Sequence, residues 1–143
     1  MVQIDQIIAV GSKVGLFKLV ASRSNGLILE DLLTHKTNFY SSRTFQFSPL
    51  ESIGIYTLSD NIPLKDVYTR FLEKENEVIP PDDQAEAAAY KNYFETILPE
   101  YDRYRVHLKD MQKCLKWYHQ LKSLGFIKAD EAPKEPVSEP AVD

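Results

Sequence analysis

The chain has one cysteine, Cys114, so it can close no internal disulfide and build no cysteine-based metal cluster; it reads as a protein of a reducing compartment. Apolar runs are short, and none approaches the ~20 residues of a membrane-spanning helix. The opening "MVQIDQIIAVGSK" places Asp5 early and has no basic leader before an apolar stretch, so no export signal is read and a cytoplasmic location is expected. Glycine is sparse, at 11, 15, 26, 54 and 125, too scattered to form a phosphate-cradling loop. A basic excess is missing too. Seventeen Lys/Arg face 21 Asp/Glu, for a net charge of −4 and a pI near 5.4, which disfavours nucleic acid as the main partner.

What remains is the composition of a folded domain: 143 residues, 43% hydrophobic and 27% charged, with eight Tyr and seven Phe. A chain this long buries about two-thirds of its unfolded surface, enough for a core without staples. Residues 131–143 hold four acids against one lysine, and "APKEPVSEPAVD" has three prolines and no periodicity, so a disordered acidic tail is expected there.

Strand signals come first and helical ones later. "IDQIIAV" spaces Ile4, Ile7 and Ile8 as a helix would and Gly11 suits its end, which predicts a short N-terminal helix; its β-branched residues make a strand the competitor. "GLFKLVASR" and "GLILED" flank Asn25-Gly26, the strongest short-range hairpin signal, with positive φ expected at both turn positions. "RTFQF" and "GIYTL" read as further short strands, with Pro49 opening a turn between them. Residues 1–60 thus predict a small antiparallel, barrel-like module of the SH3/Sm-like kind.

From Asn61 the period becomes helical. Helices are expected near 63–75, 83–98 and 109–124, forming a three-helix module over 61–130. Pro63 opens the first, Asn61 is its cap candidate, and Leu64, Val67, Tyr68, Phe71 and Leu72 form its stripe. Tyr90, Tyr93, Phe94, Ile97 and Leu98 line the second. Met111, Cys114, Leu115, Tyr118 and Leu121 line the third, with Gly125 just past its end. The fold class is α+β.

Chemistry is densest in "PEYDRYRVHLKDMQKCLKWYHQ", residues 99–120. Cys114 sits on an apolar stripe and reads as a small buried hydrophobe. His107 and His119 lie about 18 Å apart along a helix and cannot share a metal, so each reads as capping or solvated. Glu100 and Asp102 beside Arg103 and Arg105 read as salt bridges and turn bonds that fix a loop. No catalytic residue, metal set or cofactor is assigned; a grouping of His107, Asp102 and Tyr104 around the turn is the enzymatic alternative.

One binding surface survives. Lys109, Lys113 and Lys116 fall within about 60° of one another on a helical wheel. Trp117 flanks them, and Arg103, Arg105 and His107 precede them. Residues 100–128 carry seven basic side chains against three acidic ones. A basic strip beside an aromatic can hold an acidic protein surface or a phosphate backbone. The competing reading is a solvated helix face with Trp117 packed against the second helix.

Several runs resemble a family of roughly 140-residue Bacteroidota proteins known as domains of unknown function. They include Gly15-Leu16-Phe17-Lys18-Leu19-Val20, Asn25-Gly26, Leu50-Glu51-Ser52-Ile53 and Pro63-Leu64-Lys65-Asp66-Val67. Later ones are Leu98-Pro99-Glu100-Tyr101-Asp102-Arg103, Asp110-Met111 and Trp117-Tyr118. Residues 33–45 and Tyr104 depart from the family pattern. The resemblance implies a β-rich N-terminal unit and a helical C-terminal one, and brings no activity with it. The functional expectation is a non-enzymatic interaction or adaptor protein that binds a protein partner or itself, away from membranes. The alternative is an RNA- or ribosome-associated protein using the basic strip of the last helix.

Overall fold

A computed structural model describes residues 2–11, 13, 15–82 and 84–128; the expected tail at 131–143 lies outside the described residues. The strands are β1 (Ile7–Val10), β2 (Leu16–Arg23), β3 (Gly26–Asp31), β4 (Thr37–Ser41), β5 (Phe47–Pro49), β6 (Gly54–Tyr56) and β7 (Asn61–Pro63). A 3-10 turn at Leu50–Ser52 separates β5 from β6, and α1 (Leu64–Glu73), α2 (Ala87–Ile97) and α3 (Leu108–Ser123) follow. β1–β5 form one antiparallel sheet in the order β4-β3-β2-β1-β5, and β6-β7 is a separate hairpin. The fold is α+β, an antiparallel sheet followed by three helices.

The sheet is open but curled. β4 and β5 are consecutive in the chain yet lie at opposite edges, which in a flat sheet would be about 19 Å apart. Their connection is compact, because the Ser41 carbonyl accepts the Thr44 and Phe45 amides at 3.2 and 3.0 Å. The sheet therefore bends its edges toward each other. Phe45 fills the gap, with its ring 5.4 Å from that of Tyr40, which lies 5.5 Å from Phe17. Ile8, Val10, Phe17, Leu29 and Tyr40 make the small core inside the curl. The unit is barrel-like without being a closed barrel.

The predicted N-terminal helix is absent: residues 7–10 are β1. Ile8 and Val10 face the inside of the curl, while Ile7 and Ala9 face the larger core shared with the helices. A strand buried on both faces loses its polar alternation, so its isoleucines mimic helical spacing. Gly11 ends no helix; its amide pairs with the Gln46 carbonyl at 2.8 Å.

The β2–β3 hairpin stands where expected, with Arg23 opposite Gly26 around Ser24 and Asn25. Neither Asn25 nor Gly26 has positive φ, however. Gly26 is needed for proximity, since a Cβ there would collide with the Tyr40 carbonyl oxygen. "RTFQF" is mostly a turn, and the strands on either side of it are β4 and β5.

β7 runs directly into α1. The Leu64 amide donates to the Ile53 carbonyl at 2.8 Å, so backbone takes the place of the expected Asn61 cap, and Asn61 instead pairs with Tyr56. An expected junction at 60/61 would cut this hairpin. The helices meet through a web of edge-on rings: Phe71 lies 5.0 Å from Tyr93, 5.3 Å from Tyr118 and 6.0 Å from Phe94. Such pairs each contribute about 0.5–1.5 kcal/mol beyond area burial.

Candidate binding cleft between the sheet and the last helix

α3 does not lie flat on the sheet. Between it and the β1, β5 and β6 strands opens a cleft of about 400 Å³. Its apolar lining includes Ala9, Ile55, Leu64, Val106 and the buried Cys114. Around it stand Lys13, Arg105 and Lys113, with Tyr56 and Trp117 as aromatic walls and Asp110 as the one acid.

The helix wheel explains which strip residues take part. At 100° per residue, Asp110, Lys113, Cys114 and Trp117 span an arc of about 100°, and Lys109 and Lys116 fall about 40–60° beyond Lys113. The structure accordingly places Lys113 and Trp117 at the cleft, and leaves Lys109 and Lys116 exposed beside it. Trp117 is half-buried against the main core, and the Lys113 Nζ lies 5.8 Å from its ring centre.

Arg105 has three partners. Its Nε donates to the Asp102 carboxylate at 2.9 Å, an Nη donates to the Thr57 carbonyl at 3.2 Å, and its guanidinium stacks 4.4 Å from the Tyr56 ring centre. Asp102 is buried and also accepts the Tyr104 and Arg105 amides at 2.8 and 3.3 Å. The Arg105 bond, then the Tyr104 amide, hold its carboxyl below the usual aspartate range. Lys13 and Lys113 carry no ion pair among the described residues.

The remaining candidates lie elsewhere. Arg103 stacks 4.8 Å from the Tyr101 ring centre and pairs with Glu95 at 3.7 Å. His107 is the N-cap residue of α3, and its amide donates to the Asp110 carboxylate at 2.9 Å. Tyr104 is 88% exposed. Arg70 and Glu100 form a further pair at 2.9 Å, so the charged turn is a set of loop-fixing bonds. His119 holds the α1–α2 linker, its Nε2–H donating to the Pro81 carbonyl at 2.7 Å. Cys114 is buried, and that burial pushes its thiol up to about 12.

Sequence reasoning missed Lys13 and Tyr56, which reach the cleft only through tertiary pairing. No helix is long and apolar enough to cross a membrane, and no cluster of three metal-ligating side chains occurs, both among the described residues.

Residues 4–50 match the family model described as "Domain of unknown function (DUF5606)", and residues 53–121 match "Domain of unknown function (DUF6852)". No curated protein matches the chain. Among solved structures it is similar to a structural-genomics target from Bacteroides vulgatus, determined by solution NMR. The two are 31% identical with a TM-score of 0.70, over 92% of this chain and 94% of that one. With both segments matched in order and the likeness running almost end to end, the chain belongs to this two-segment family of Bacteroidota proteins.

Proposed function

We propose that the chain is a non-enzymatic binding module of the cytoplasm whose cleft takes an acidic segment of a protein partner. The observation that carries this reading is the charge around an otherwise apolar cleft. Lys13 and Lys113, both without ion pairs among the described residues, flank it together with Arg105, and Tyr56 and Trp117 provide flat contact area. Aromatic and Arg side chains are the residues that anchor protein interfaces, and charge complementarity selects an acidic partner. A cleft of this size admits one or two side chains of a segment, with the carboxylates beside the lysines. Binding is favoured over catalysis because the side chains here that could serve as base or nucleophile are committed or inert. The Asp102 carboxylate is filled by Arg105 and two amides, and the Cys114 thiol stays protonated.

Trp117 is the only tryptophan, so its fluorescence reports on the cleft directly. An Asp/Glu-rich peptide with one Phe, titrated at ~50 mM salt, is expected to shift its emission saturably. Lys13→Glu with Lys113→Glu should weaken that binding at least about tenfold. Lys109→Gln with Lys116→Gln should weaken it less, since those groups act across solvent. If the peptide leaves Trp117 unchanged while a single-stranded oligonucleotide perturbs it with a steep salt dependence, the acidic-partner reading fails and the RNA reading replaces it.

A further inference from the structure

The free edge of the sheet points to a second interaction surface, separate from the cleft: we propose that two copies of the chain pair through β4, antiparallel and in register about Phe39, to form a weak two-fold dimer.

The backbone pattern sets this register. At one end of the β3–β4 ladder the Asp31 amide donates to the Lys36 carbonyl at 2.9 Å; at the other the Ser42 amide donates to the Asn25 carbonyl at 3.0 Å. The ladder between them is continuous, from Glu30 opposite Thr37 to Gly26 opposite Ser41. Antiparallel pairs alternate between bonded and non-bonded, so Asn38 and Tyr40 bond to β3. Thr37, Phe39 and Ser41 therefore turn their amides and carbonyls to the free edge. Among the described residues only the Ser41 carbonyl is occupied there, by the turn to Phe45.

These groups complement themselves. In an antiparallel pair centred on Phe39, the Phe39 amide and carbonyl exchange bonds with those of Phe39 in the second copy. Each Ser41 amide meets the Thr37 carbonyl of the other. Four main-chain bonds would form, with the Phe45 turn beside the Ser41 end setting how closely the second strand seats.

The side chains agree. β4 reads Thr-Asn-Phe-Tyr-Ser, with no charge and no proline, whereas edges that resist pairing usually carry lysine or proline or are very short. The strand itself gives a charged partner nothing to select, while Lys36 and Arg43 just outside it would come together across the pair and hold the affinity down. Phe39 is 47% exposed and stands beside Ile28, which stands beside Ala21, on the face turned away from the curled core. Pairing would continue this apolar row through a Phe–Phe contact into the second copy. Five residues of strand bury less than the ~1,200 Å² of a standard interface, so the dimer populates only at high concentration. β4 contributes nothing to the cleft, so both clefts stay open.

Sedimentation velocity on the full chain between about 10 µM and 1 mM tests this. The wild type should pass from monomer toward dimer over that range. Phe39→Lys and Phe39→Glu, each keeping native circular dichroism, should associate at least tenfold more weakly, because like charges would face across the axis. An equimolar mixture of the two variants should recover the dimer. A wild type that is monomeric at 1 mM, a Phe39→Lys protein that associates as the wild type does, or a mixture that stays monomeric would each overturn the proposal.

Discussion

Two buried tyrosines offer the same chemical perturbation with opposite expected signs. Tyr68 is fully buried, and its hydroxyl donates to the Cys114 carbonyl at 2.7 Å. Tyr93 is 3% exposed, and its hydroxyl has no partner among the described residues. Burial pushes both phenols up, so both stay neutral at any ordinary pH. Replacing either with Phe keeps the ring, and with it the contacts of Tyr68 to Tyr118 and of Tyr93 to Phe71. Only the hydroxyl energetics change. A net intramolecular hydrogen bond contributes about 0.5–1.5 kcal/mol, and a buried hydroxyl left unpaired costs about 1–3 kcal/mol. Tyr68→Phe should therefore destabilise by about 1 kcal/mol, and the Cys114 carbonyl still accepts within its helix. Tyr93→Phe should be neutral or stabilise by up to about 1 kcal/mol. Urea unfolding followed by circular dichroism reads both, given an unchanged m-value. In heat, Tyr68→Phe should lower the Tm by a few degrees, while Tyr93→Phe should leave it unchanged or raise it. A loss above about 1 kcal/mol for Tyr93→Phe would refute the argument and mean that a trapped water bonds this hydroxyl.

Acid should unfold the protein through its charged turn. Glu100 is held below its usual 4.5 chiefly by Arg70, and Asp102 below its usual 3.8 chiefly by Arg105, so the unfolded chain binds more protons in that range. Stability from both pairs is complete above about pH 5 and falls as pH drops through 4 and below. Arg105→Met should lower stability at pH 7 and flatten that acid slope, as measured by urea unfolding at pH 3 to 7. Gly26→Ala should cost more than about 2 kcal/mol, because the new Cβ meets backbone. Gly11→Ala, whose nearest neighbour is the Gln46 Cβ at 3.5 Å, is the tolerated control in the same thermal melt.

The helices were legible from sequence because their stripes are long and each meets one core; all three lie within a few residues of their expected positions. The sequence of β1 favours a helix over the competing strand because its two buried faces erase the period-2 signal. The hairpin at Asn25-Gly26 was found for a turn geometry the chain does not use, since Gly26 serves the approach of Tyr40 instead. At the candidate site, the spacing on α3 identified Lys113 and Trp117 but grouped with them Lys109 and Lys116, which the wheel turns outward. Lys13 and Tyr56 carried no local signal, because only the packing of sheet against helix brings them there.

β1 is a party wall. One side holds Ile8 and Val10 in the small core, and the other gives Ile7 and Ala9 to the large one. The two family segments meet between residues 50 and 53, but no seam in the packing follows that line. Recombination there would hand one descendant a helical bundle stripped of its neighbour, and the other a sheet with bare isoleucines. Residues of both segments share one core, so the two fold as one object.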